Sequence, residues 1–135
     1  MLLMLSAAGR ILVVDDDPAL LGIMELYLSR LGYGVDVCRN AAEAWALVEA
    51  SPSRYAGALV DLNMPGMPGE ELARRILHCS ASIRLVMMSG HPEGLDTGEA
   101  SEGNRRVSFL HQPVSPIELA GVLESLSVRA APPTA

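Results

Sequence analysis

Four short apolar runs in this sequence end on groups able to do chemistry. Ile11-Leu12-Val13-Val14 runs into Asp15-Asp16-Asp17, and Ala58-Leu59-Val60 ends on Asp61. Residues 83–88 lead to Ser89, and Val107-Ser108-Phe109-Leu110 leads to His111-Gln112-Pro113. Brought to one edge of a sheet, these ends place two or three carboxylates beside a hydroxyl. Crowded carboxylates resist ionisation unless a cation joins them. A hard divalent ion with oxygen ligands relieves the repulsion, and Mg²⁺ suits a small site with few carboxylates and retained waters. Asp61 is then a nucleophile able to accept a phosphoryl group, with the ion and nearby donors offsetting the charge that develops on its oxygens.

The elements that must position these groups can be read from the pattern. Asp61 follows an apolar run with no polar face and precedes a Pro65-Gly66 turn. That predicts a strand buried on both sides, as in a parallel sheet, with Asp61 at its carboxyl end. Open α/β sheets bind ligands at that edge. Asp17 and Pro18 open a helix on which Leu20, Ile23, Met24, Tyr27, Leu28 and Leu31 recur at helical spacing, closed by Gly32 and Gly34. Val35-Asp36-Val37-Cys38 alternates as a second strand. Asn40 caps a helix carrying Ala41, Ala44, Trp45 and Val48, stopped by Ser51-Pro52. A third helix over Gly69–Cys79 puts Leu72, Ile76 and Cys79 on one face. Residues 91–103, polar with three glycines, encode a fourth helix only weakly. Ser115-Pro116-Ile117-Glu118 is a capping-box start for a fifth, with Leu119, Val122, Leu123 and Leu126 inward. Strict alternation predicts an α/β fold: a doubly wound, five-stranded parallel sheet with five helices and right-handed crossovers. The flavodoxin-like strand order 2-1-3-4-5 makes the first, third, fourth and fifth strand ends neighbours.

Length and composition narrow the function classes. At 135 residues, one domain spanning 10–128 is expected, with flexible ends at 1–9 and 129–135. Half of the residues are hydrophobic and the mean hydropathy is +0.27, enough for a core. The net charge of −6 argues against a nucleic-acid groove and against attraction to anionic lipid. The apolar start, Met1-Leu2-Leu3-Met4-Leu5, is too short to span a bilayer. Cys38 and Cys79 lack metal-ligand spacing and read as reduced, buried thiols. No glycine-rich phosphate loop with lysine and no His/Cys zinc cluster is present. All ten basic side chains other than histidine are arginine, and lysine is absent from the chain.

The segments Ile11-Leu12-Val13-Val14-Asp15-Asp16-Asp17-Pro18, Asp61-Leu62-Asn63-Met64-Pro65-Gly66-Met67-Pro68-Gly69 and Val86-Met87-Met88-Ser89-Gly90 resemble the receiver domain of two-component response regulators. The stretch Met88-Ser89-Gly90-His91, with Pro113-Val114-Ser115-Pro116, also looks like receivers attached to hybrid histidine kinases. The resemblance implies a cytoplasmic signalling domain, not a separate enzyme. A phosphohistidine donor, on a histidine kinase or phosphotransfer protein, would phosphorylate Asp61. Mg²⁺ would sit between Asp16, Asp61 and the backbone carbonyl of Asn63, with Asp15 supporting it through water. Ser89 would be the switch hydroxyl and Phe109 the aromatic switch residue. Asn63 and His91 would tune phosphoryl lifetime. Output would pass through the fourth helix, fifth strand and fifth helix, commonly by homodimerisation, with no role for nucleic acid or membrane.

One position departs from the family. Where receivers place a lysine after the fifth strand, this chain has Gln112. Glutamine donates hydrogen bonds but carries no charge, and a charge-assisted bond is about twice as strong as a neutral one. The site is therefore expected to lean harder on the metal and to couple less well to Ser89. Arg105 or Arg106 could reach in as a substitute, but both lie before the fifth strand and not at its site end, which weighs against either. Two other functions compete. A degenerate receiver would bind partners independently of phosphorylation, a reading that Gln112 favours. A dehalogenase-like Mg²⁺ phosphatase would need a second aspartate two residues after the nucleophile, where Asn63 stands. His78, His111, Trp45 and Tyr27 are read as surface or packing residues.

Overall fold

The computed structural model describes residues 10–90 and 106–126. Five strands, β1 (Arg10–Val14), β2 (Gly34–Cys38), β3 (Gly57–Asp61), β4 (Arg84–Ser89) and β5 (Val107–His111), form one parallel sheet in the order β2-β1-β3-β4-β5. Among the described residues there are four α-helices: α1 (Pro18–Arg30), α2 (Ala41–Ala50), α3 (Gly69–Cys79) and α4 (Pro116–Ser125). The helix expected over residues 91–103 lies outside the described residues, as do both chain ends.

The period-2 alternation of the strands divides the core into two layers. Leu12, Val14, Ala58, Val60, Leu85 and Met87 point to one face, where α2 and α3 cover them with Ala44, Val48, Leu72 and Ile76. Ile11, Val13, Leu59, Val86 and Met88 point to the other, under α1 and α4 with Leu21, Leu28, Leu119 and Leu123. The central strand β3 is buried at every position, which accounts for its lack of a polar face. Trp45 and Tyr27 are half-buried and pack against these layers, as expected of packing residues.

Local chemistry starts and stops each helix. Asp17 accepts from the Ala19 N–H at 2.9 Å. Asn40 accepts from the Glu43 N–H at 2.8 Å while donating to the Glu43 carboxylate at 3.1 Å. Ser115 accepts from the Glu118 N–H at 3.1 Å. Each satisfies a donor that the first helical turn leaves over. Gly32, just past α1, takes the left-handed conformation (φ 98°) that favours glycine there.

Several details differ from the sequence reading. Gly34 opens β2 and does not close α1, Cys79 is half-buried while Cys38 is buried, and Ile23 and Leu31 of the first-helix pattern are exposed. Pro52 does more than stop α2: it opens a 3₁₀ turn, Pro52–Arg54, that leads into β3. The fourth strand runs one residue later than expected. The Ile83 N–H donates to the Ser80 hydroxyl at 3.2 Å, so Ile83 belongs to the turn. Ser89 in turn pairs with His111 inside the ladder.

Candidate functional site

Parallel register brings the strand ends to one rim. Val14 pairs with Val60, Asp61 with Met88, and Ser89 with His111. Three backbone bonds carry the ladder one residue further and fix the groups beyond it. The Asp15 N–H donates to the Cys38 carbonyl at 3.1 Å, the Leu62 N–H to Met88 at 2.9 Å, and the Gln112 N–H to Ser89 at 2.8 Å.

Asp15 and Asp61 are buried, at 1% and 5% exposure, while Asp16 is exposed. The three offer carboxylate oxygens all within 4.8 Å of one another. Two backbone donors orient the buried pair. The Asp17 N–H donates to Asp15 Oδ1 at 2.9 Å, and the Asn63 N–H donates to Asp61 Oδ1 at 2.9 Å. Both are aspartate turns closing on the backbone two residues on. Burial pushes the Asp15 carboxyl up to about 6; the Asp17 N–H opposes the shift, and the charges of Asp61 and Asp16 add to it. Asp61 is also raised, first by burial and then by Asp16, against the opposing Asn63 N–H. Two buried carboxyls that resist ionisation beside an exposed third are what a hard divalent ion would relieve. The donor set is all carboxylate oxygen and is open to solvent on the Asp16 side, which fits Mg²⁺ or an ion like it.

The remaining candidates surround this cluster. Ser89 is buried, and the Asn63 side-chain amide lies 3.5 Å from its hydroxyl. Gln112 Nε2 donates to Asp15 Oδ2 at 3.4 Å. Phe109 is half-buried on β5 against the α2–α3 layer of the core. His91 lies outside the described residues. Arg106 is not the substitute cation. It turns to the opposite end of the sheet, where its guanidinium donates to the Ile83 carbonyl at 2.9 Å and to the carbonyls of Leu77 and Ser80. Those carbonyls close α3 and its following turn, so a cation is well placed there and is drawn away from the rim. Arg105 lies outside the described residues.

Gly69 has a role that its place in a motif does not explain. A Cβ at this position would lie 2.6 Å from the Asp61 carbonyl oxygen and 2.9 Å from Leu62 Cα. The first turn of α3 is thus seated directly on the backbone of Asp61. Gly66, at φ 84°, supplies the left-handed turn that makes the approach possible. The Asn63–Ser89 contact likewise has no signal in the sequence, because it joins residues 26 positions apart.

Residues 11–124 match the family model of the response regulator receiver domain. The chain belongs to this family. It is 31% identical over 132 residues to the transcriptional regulatory protein FixJ of Bradyrhizobium diazoefficiens, covering 97% of this chain and 62% of that protein. It is 30% identical over 121 residues to the transcriptional regulatory protein ResD of Bacillus subtilis, covering 90% of this chain and 49% of that one. The chain therefore spans less than two thirds of these relatives. Among solved structures, a CheY-like response regulator receiver domain protein from Methanospirillum hungatei superposes with a TM-score of 0.73 at 28% identity, covering 88% of this chain and 94% of that one. A receiver domain protein from Clostridium thermocellum shares the fold with a TM-score of 0.79 at 19% identity, covering 87% and 93%. The receiver sheet order 2-1-3-4-5 expected from the sequence is the order found.

Proposed function

We propose that this receiver accepts a phosphoryl group on Asp61 from a phosphohistidine of a histidine kinase or phosphotransfer protein. The observation that carries the reading is the convergence of Asp15, Asp16 and Asp61 within 4.8 Å, with Ser89 at the neighbouring strand end. Asp16 and Asp61, with the Asn63 carbonyl, would hold Mg²⁺ directly, and Asp15 would hold it through water. The ion supplies positive charge that lowers the cost of ionising the carboxylates and of building charge on the phosphoryl oxygens.

The chain's own groups divide the remaining work. The Asn63 N–H holds Asp61 Oδ1, so the other carboxylate oxygen is the one that attacks phosphorus. The P–N bond to the donor histidine breaks as the P–O bond to Asp61 forms. The Ser89 hydroxyl, which accepts from the Asn63 amide, then swings to donate its own proton to a phosphoryl oxygen. Phe109 would follow that movement within the β5 face. Output would pass through β5, α4 and the fourth predicted helix to a partner or a second copy, in the cytoplasm.

Gln112 supports a second reading. Its neutral amide, 3.4 Å from Asp15, cannot pair with a phosphoryl group as an ammonium does, and a receiver so altered could bind its partner without phosphorylation. Intact mass after incubation with acetyl phosphate and Mg²⁺, beside Asp61→Asn, separates the two. Gain of one phosphoryl group by the parent alone supports phosphoacceptance. No gain by the parent leaves the binding-module reading.

A further inference from the structure

Among the described residues, the groups that meet in the acidic cluster carry charge of one sign only. Three carboxylates meet within 4.8 Å, and among the described residues no arginine forms an ion pair with any of them. Several arginines are committed elsewhere. Arg10 and Arg54 pair with Asp36, Arg74 and Arg75 with Glu71, and Arg106 holds backbone carbonyls at the far end of the sheet. The chain has no lysine to contribute. The side chain aimed into the cluster from β5 is that of Gln112, with its amide on Asp15. The neighbouring charges that act on Asp15 and Asp61 are all carboxylates.

We propose that Gln112 makes this rim responsive to a divalent cation before any phosphoryl transfer, because the ion fills a negative well that no described side chain neutralises. The proposal rests on the reading that Asp15, Asp16 and Asp61 hold the ion. A lysine at position 112 is one atom longer than glutamine, so its ammonium would reach among the carboxylates. There it would stabilise the metal-free site and compete with the ion by like-charge repulsion. An ammonium about 4 Å from such a site shifts divalent affinity by tenfold or more, even at the effective dielectric of a protein surface. The neutral amide does neither. Gln112 is thus a positioning and charge-setting residue, and occupancy by the ion becomes a change of state that the folded domain registers by itself.

The test is titration of the full chain with MgCl₂ by calorimetry, together with thermal unfolding in EDTA and in saturating Mg²⁺. The parent is compared with Gln112→Lys, Gln112→Met and Gln112→Glu. Affinity should follow charge: Glu tightest, parent and Met within about threefold of each other, and Lys at least about tenfold weaker than the parent. In EDTA the Lys variant should unfold at a higher temperature than the parent, and saturating Mg²⁺ should close that gap. Equal affinities for parent and Lys, or a Met variant as weak as Lys, overturns the inference. If Lys fails to fold, the order of Glu, parent and Met still decides, since Glu no tighter than Met overturns it as well. Phosphoryl uptake is measured in parallel by mass. Uptake without an affinity gap defeats this inference alone, and a gap without uptake defeats only the phosphoacceptor reading.

Discussion

At the scale of single residues, the buried acid Asp15 is held against its own ionisation. Its folded-state value of about 6 lies above the ordinary 3.8. A carboxyl raised in this way contributes stability that is fully present below the unfolded value and is lost as pH rises through the folded one. Metal-free protein should therefore weaken between about pH 4 and 6 on account of this group. Asp15→Asn keeps an oxygen to accept the Asp17 N–H and removes the charge. It is expected to stabilise the metal-free domain at pH 8 by about 1–3 kcal/mol and to have little effect near pH 4. Urea unfolding in EDTA at the two pH values checks this, and a gain of equal size at both would refute it. The acids themselves were legible in the sequence, because a carboxylate that ends an apolar run announces itself. What the Asn63 amide does to Ser89, and where Arg106 points, were not legible, because both depend on contacts between residues more than twenty positions apart.

Elements place those residues, and α3 does so most directly. The first turn of α3 rests on the Asp61 backbone through the bare Cα of Gly69. Gly69→Ala would drive a methyl group into backbone atoms at 2.6 and 2.9 Å, which cannot rotate away. The β3–α3 loop must shift, at a cost of about 1–3 kcal/mol. Because the loop carries Asn63, whose N–H fixes Asp61, phosphoryl uptake on Asp61 should fall with stability. Gly22 in α1 and Gly121 in α4 meet nothing within 4 Å at the same test position and have no left-handed φ. Alanine at either should raise stability by about 0.5–1 kcal/mol, read as a higher unfolding temperature with uptake unchanged. Caps and apolar spacing made the described helices readable from the residues alone. The one-residue displacement of β4 was not readable, since Ile83 looks like a strand residue until the Ser80 hydroxyl takes its N–H.

Across the whole molecule, charge is sorted along the strands. Asp15, Asp16 and Asp61 gather where β1 and β3 end, and Arg10, Arg84 and Arg106 stand where β1, β4 and β5 begin or just before, with Arg39 after β2 the exception. Strict alternation was enough to foresee the parallel sheet, and the flavodoxin-like layout supplied its order and hence the acidic rim. It could not foresee the network at the other end, where edge-strand Asp36 collects Arg10 at 2.6 Å, Arg54 at 3.1 Å and the buried Tyr55 hydroxyl at 2.7 Å. The Arg10 hydrogen bond, helped by Tyr55 and both guanidinium charges and opposed by burial, holds Asp36 down at about 2. The sign is opposite to that at the rim: this stability is present above the ordinary 3.8 and is lost as pH falls toward 2. With Arg10 and Arg54 partly exposed, solvent screening leaves about 1–2 kcal/mol for the network. Asp36→Asn should cost that amount at pH 7 and almost nothing near pH 2. The two ends of the sheet together set the response of the whole domain. In EDTA, the network gains strength as pH rises toward 4, and the rim loses it from about pH 4 to 6. The metal-free domain should therefore unfold at its highest temperature near about pH 4–5. An ion that binds only the ionised rim stabilises more as pH rises. Saturating Mg²⁺ should then move that maximum toward neutrality in the parent, and by much less in Asp16→Asn. Unfolding temperatures measured from pH 3 to 8, with and without the ion, read this directly, and a maximum that stays in place on adding Mg²⁺ is the result that breaks the account of the rim.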